Sequence, residues 1–125
     1  MPESHDVQAA TRVERTERVE DALAEVTALL RRHRLVEGLV YEELIEAPDD
    51  QRAELVDSAV VRQTRAELER KLAHLHPADI AYILEALPLD ERLYIWELVK
   101  ADRDGEILVE VSDAVRESLI SSMDT

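Results

Sequence analysis

The chain has 125 residues and a formal charge of −14, from 29 Asp and Glu against 15 Lys and Arg. That balance excludes a nucleic-acid surface, which needs clustered basic residues, and the absence of cysteine excludes disulfides and thiolate metal sites and agrees with a reducing compartment. With 46% hydrophobic residues but 3% aromatics, the chain can fold as one domain whose core is Leu, Ile, Val and Ala.

The class is all-α, since Val and Ile do not alternate with polar residues as they would in strands and only 2 Gly and 4 Pro punctuate the chain. No apolar run approaches the roughly 18 residues of a membrane-spanning helix, and the N-terminus lacks the basic-then-apolar order of a signal peptide. Nothing in this sequence crosses a membrane by itself.

In chain order, residues 1–10 carry no apolar period and read as a disordered tail, with residues 11–125 as the helical domain. Thr11 and Glu14 suit the start of a first helix, whose apolar face is Val19, Leu23, Val26 and Leu30 and which is expected to end near His33. Leu35 to Ala47 reads as a second helical segment weakened by Gly38. Pro48, Asp49 and Asp50 break and restart the chain, and Leu55, Val56, Ala59 and Val60 supply the next apolar face.

From Thr64 onward one pattern recurs every twelve residues. Ile83, Ile95, Ile107 and Leu119 form one apolar column, Leu84, Trp96, Leu108 and Ile120 a second, and Leu87, Val99, Val111 and Met123 a third. The break positions between them, Thr64, His76, Pro88, Lys100, Ser112 and Asp124, keep the same interval. Thr64 with Glu67 reads as a capping box, Pro77 suits a first helical position, and Asp79 and Glu91 place negative charge at helix starts. Residues 64–123 are therefore expected to form five short helices, with Leu84, Leu87, Trp96, Val99, Leu108 and Val111 buried. Helices of about ten residues are marginal alone, so they must stack. The expected architecture is a right-handed α-solenoid, an armadillo- or HEAT-like superhelix of short stacked helices preceded by longer N-terminal ones.

Catalysis has no candidate: no nucleophile–base–acid arrangement, phosphate-cradling glycine loop or paired-carboxylate motif stands out. His74 and His76 lie on different helix faces and lack further ligands at zinc spacing, so they read as structural or exposed, and His5 and His33 have no partner in sequence. The acids say more. Asp102, Glu106 and Glu110 are spaced four apart, on one face of a helix, where like charges repel by a few tenths of a kcal/mol per pair. Such a face calls for a cation or a basic partner, and Mg²⁺, which keeps several waters and takes one or two carboxylates from an element, fits it. A solvated charged face is the alternative.

Leu75-His76-Pro77-Ala78-Asp79-Ile80-Ala81, then Leu84-Glu85-Ala86-Leu87-Pro88 with Asp90-Glu91-Arg92, then Gly105-Glu106-Ile107-Leu108, closely resemble the intracellular N-terminal domain of the bacterial MgtE-type magnesium transporters, most strongly from about Arg62 to Asp124. The resemblance implies a regulatory domain on the cytoplasmic side of the bacterial inner membrane, part of a homodimeric protein. Such domains bind Mg²⁺ together with the CBS domains of the same polypeptide and so control its transmembrane pore. By the same resemblance, Glu106 is the acid carried over as a Mg²⁺ ligand. An alternative from another class is a non-catalytic protein-interaction scaffold, like the armadillo-like middle region of the flagellar motor switch protein. Asp124 falls where a sixth helix would begin, so the chain is expected to be a piece of a longer protein, with Val115, Leu119, Ile120 and Met123 incompletely covered.

Overall fold

The computed structural model describes residues 2–46 and 59–123, all of its regular structure is helical, and no strand occurs among the described residues. Helix α1 spans Pro2–Glu46 and α2 spans Ala59–Ala73; α3 (Pro77–Ala86), α4 (Leu89–Leu98), a 3₁₀ turn (Ala101–Arg103), α5 (Asp104–Leu108) and α6 (Asp113–Met123) follow. The expected break at Pro48 and the apolar residues Leu55 and Val56 lie outside the described residues.

Helix α1 is continuous through the two places where the sequence reading divided it. It begins at Pro2, so residues 2–10 are helical rather than a disordered tail, and it passes His33 and Gly38 without interruption. No proline lies between Pro2 and Pro48 to remove a hydrogen bond of the helix. Gly38 costs a continuous helix only about 1 kcal/mol. The buried line of α1 is Ala22, Val26, Leu30 and His33, with Val19 and Leu23 only half-buried at its edge. This is the face that packs on α2 and α3.

Helix α2 corrects a second expectation. Thr64 does not begin a helix but sits inside α2, fully inward with Val61, Leu68 and Leu72. Ala59 to Gln63 contain nothing that stops a helix, so the helix is already formed ahead of the start that the twelve-residue register predicts. The Thr64 hydroxyl, freed from capping, lies 3.0 Å from the Val61 carbonyl, and Glu67 turns instead to Arg32 of α1, 3.3 Å away. Ion pairs Glu25–Lys71 and Arg32–Glu67 together with the His33–Thr64 contact show that α1 and α2 run antiparallel.

Beyond residue 76 the register holds. The elements begin at Pro77, Leu89, Ala101 and Asp113, twelve apart, after the predicted break positions His76, Pro88, Lys100 and Ser112. At the first start, Pro77 takes a first-turn position and the His76 backbone N–H donates to Asp79 at 3.3 Å. At the last, Ser112 Oγ accepts the N–H of Val115, while Glu85 of α3 accepts that of Ser112 at 2.5 Å. The third unit is the imperfect one. Asp102, Asp104 and Gly105 are poor helix formers, and there the chain makes a 3₁₀ turn and only five α-helical residues.

Helix α3 packs on α4 and α5, and α4 on α6. The first apolar column, Ile83, Ile95, Ile107 and Leu119, is fully buried. Leu84, Leu87, Trp96, Val99 and Val111 are buried as predicted; Leu108 is only half-buried, at the edge of the core, because its unit is shortened. In the last unit Val115 and Leu119 are buried but Ile120 and Met123 are exposed.

Each short helix ends with backbone carbonyls that have no intrahelical donor. Three arginines supply those at the ends of α2, α3 and α5. Arg92 donates Nε to the Leu84 carbonyl at 2.9 Å and Nη2 to that of Leu87 at 3.2 Å. Arg116 does the same for Leu108 at 2.8 Å and Val111 at 3.2 Å. Both the arginines (92 and 116) and the carbonyls they serve (84 and 108, 87 and 111) are 24 residues apart, so two twelve-residue units make one hairpin and the guanidinium comes from its second helix. Arg103 serves the end of α2, donating to Leu72 at 3.0 Å and to Leu75.

Truncating Ile83 to Ala is expected to cost about 2–5 kcal/mol in chemical denaturation, the range for a buried aliphatic side chain whose site cannot collapse. Arg116→Met, which keeps the stem but strands two carbonyls, should cost about 1–3 kcal/mol. A loss below half a kcal/mol for Arg116→Met would mean that water replaces the guanidinium without penalty.

Candidate functional site

The three acids singled out in the sequence do not share one regular helix. Asp102 lies in the 3₁₀ turn, Glu106 in α5, and Glu110 in the turn that follows, all three exposed. The shortened third unit is the cause. Glu106 and Glu110 still come together on the wall of an open groove of about 1040 Å³, but Asp102 is not part of that wall.

The groove is also lined by Arg18, Asp21, Ala22 and Glu25 of α1 and by the end of α2 with the turn into α3, from Lys71 through Asp79. Its acids are thus Asp21, Glu25, Asp79, Glu106 and Glu110, against the bases Arg18 and Lys71. Lys71 is paired with Glu25, and Asp79 is occupied in capping α3. Among the described residues Asp21, Glu106 and Glu110 have no ion-pair partner. The groove therefore carries an excess of negative charge, with the unpaired acids on α1 and on the α5 segment.

Asp21 and Asp79 were missed in the sequence because they belong to different helices from Glu106, and no periodicity within one element signals a groove between elements. Asp104 was also passed over. Its partial burial, and secondarily the neighbouring Asp102 carboxylate, push its pKa up.

His74 and His76 border the same groove. His74 donates Nδ1–H to the Arg70 carbonyl at 2.7 Å, and His76 occupies the position before Pro77 with its side chain exposed. Both fit the structural and exposed roles read from the sequence. No three His, Asp or Glu side chains among the described residues converge closely enough to hold a metal ion. A cation in this groove would have one or two carboxylates from this chain and take its remaining ligands from water or from another surface.

No helix among the described residues is long and apolar enough to cross a membrane. Residues 75–125 match the family model of the MgtE intracellular N domain. No curated protein and no solved structure matches the chain. The matched segment starts at Leu75 rather than near Arg62, and includes Asp102, Glu106 and Glu110 but neither α1 nor α2.

If Glu106 and Glu110 are unpaired carboxylates in a negative field, neutralising both (E106Q with E110Q) should raise the melting temperature at low ionic strength, with the gain shrinking in 0.5 M NaCl. A lowered melting temperature would indicate that they hold structural contacts.

Proposed function

We propose, from the match of residues 75–125 to the family model of the MgtE intracellular N domain, that the chain is the cytoplasmic, Mg²⁺-sensing regulatory part of a bacterial magnesium transporter. The match is the observation that carries this reading. The groove supports it with two unpaired carboxylates, Glu106 and Glu110, on the matched segment, and Asp102 stands one turn before them. In this reading the short helices stack as a right-handed α-solenoid, and the acidic wall faces the CBS domains of the same polypeptide in a homodimeric membrane protein.

The mechanism follows from the charge. Two carboxylate-rich surfaces brought together repel, and a hard divalent cation between them converts the repulsion into a bridge while retaining part of its water shell. High cytoplasmic Mg²⁺ holds the domains together with the pore shut; when Mg²⁺ falls, the carboxylates drive the surfaces apart. The chain itself does no catalysis. Its work is to supply part of the ligand set on a rigid helical frame and to move as a unit.

Because this chain offers one wall of the shared site, its own Mg²⁺ binding is expected in the millimolar range. Thermal melts in MgCl₂ and in NaCl of equal ionic strength separate binding from screening. The larger shift should come from Mg²⁺ and should diminish in E106Q/E110Q. Equal shifts in the two salts would remove the specific site from this chain and favour the reading of a helical protein-interaction scaffold.

A further inference from the structure

Helix α1 runs on for about three and a half turns past His33, its last residue seen to be buried. From Arg34 to Ile45, no residue whose burial is described is buried. Arg34 and Glu37 reach α4 through Asp90 and Tyr94, but Leu35 and Leu39 stand on the far side of the helix, 66% and 56% exposed, with Tyr41 and Ile45 exposed beyond them. A helical stretch this short is marginal alone and draws its stability from packing an apolar face. Here that face is uncovered.

The outward line is ordered. Ala24, Ala28, Arg31, Leu35, Leu39 and Glu42 follow at intervals of four, three, four, four and three, so they share one face of α1, and all six are exposed. They lie opposite Ala22, Val26 and Leu30, the residues that hold α1 on α2 and α3. The line has a centre. The midpoint of Leu35 and Leu39 is residue 37, and that of Arg31 and Glu42 falls between residues 36 and 37. Among the described residues neither Arg31 nor Glu42 has an ion-pair partner. Gly38, between the leucines, has open space where a side chain would stand, so another backbone can come close.

We propose that this face is where two copies of the chain meet, as an antiparallel pair of α1 helices about a two-fold axis level with residue 37. A two-fold interface must be complementary to itself: where residue i meets j, j meets i. About this axis Leu35 packs on Leu39 of the partner subunit and Arg31 reaches Glu42 of the partner subunit, each contact occurring twice. Arg31 and Glu42 occupy the same flank of the leucines, and in an antiparallel pair it is like flanks that adjoin. A parallel pair would instead set Arg31 against Arg31 and Glu42 against Glu42. The charge of −14 pushes copies apart in general, whereas this face offers one base and one acid placed to pair. None of these residues lines the acidic groove, so the interface does not depend on the cation reading.

The test is sedimentation equilibrium of the 125-residue chain from micromolar to millimolar concentration. The mass should rise from that of one copy to that of two. Leu35 and Leu39 are exposed in the single chain, so L35Q/L39Q should keep its helical circular dichroism and remain at the mass of one copy. R31E and E42R should each weaken dimerisation about tenfold, since two ion pairs are replaced by two like-charge contacts. Their combination, R31E/E42R, should return to within about threefold of the unmodified chain. The single changes move the net charge in opposite directions, so general repulsion cannot weaken both. Residues 31 and 42 are about 16 Å apart along the helix, so the rescue cannot arise within one chain. A single-copy mass up to millimolar protein, a dimer that survives L35Q/L39Q, or an R31E/E42R no better than the single variants overturns the proposal. Should L35Q/L39Q lose its fold, the charge series decides.

Discussion

The short helices of this protein exist because their ends are closed. A ten-residue helix leaves four carbonyls without intrahelical donors, a large fraction of its backbone, and a stack of such helices multiplies the deficit at every turn. Arg92, Arg103 and Arg116 answer it with a planar fork that serves two carbonyls at once. A lysine ammonium at the end of a flexible stem lacks that fixed geometry. The apolar columns decide which faces meet. At the ends of α2, α3 and α5 the guanidinium groups allow the chain to turn between those faces without stranding the carbonyls they reach.

This explains what was legible in the sequence and what was not. The twelve-residue register placed the element starts at residues 77, 89, 101 and 113 because apolar spacing and cap chemistry agreed there. It failed at Thr64, where a hydroxyl three residues before a glutamate looks like a cap although no breaker precedes it. It also missed the 24-residue hairpin, since Arg92 and Arg116 are recognisable as a pair only when the carbonyls they reach are known. The division of α1 at His33 was an error of the same kind. A histidine on a helix face reads as polar punctuation until Thr64 and Tyr94, 31 and 61 positions further on (33 to 64, 33 to 94), are brought against it.

The acidic site was half legible. Glu106 and Glu110 were found from spacing alone, because a four-residue interval survives the change from helix to turn after Leu108. Asp102 drops out of the groove because the 3₁₀ turn winds more tightly than an α-helix and rotates its side chain relative to the others. Part of the lining comes from α1, which lies outside the segment matched to the family. Thus the groove is lined both by the segment matched to the family and by α1, which precedes it.

The length of α1 gives its attachment a further meaning. At 1.5 Å per residue a helix of 45 residues extends about 67 Å, and among the residues whose burial is described the fully buried ones lie between Ala22 and His33. It is a lever with an off-centre pivot. From His33 the arm to Pro2 is about 46 Å and the arm to Glu46 about 20 Å. A tilt of about 10° at the pivot therefore sweeps the far tip through roughly 8 Å, while the side chains at the fulcrum shift by a fraction of that distance. By geometry alone, a small change in packing at the buried block displaces the distal end of α1 by a much larger distance.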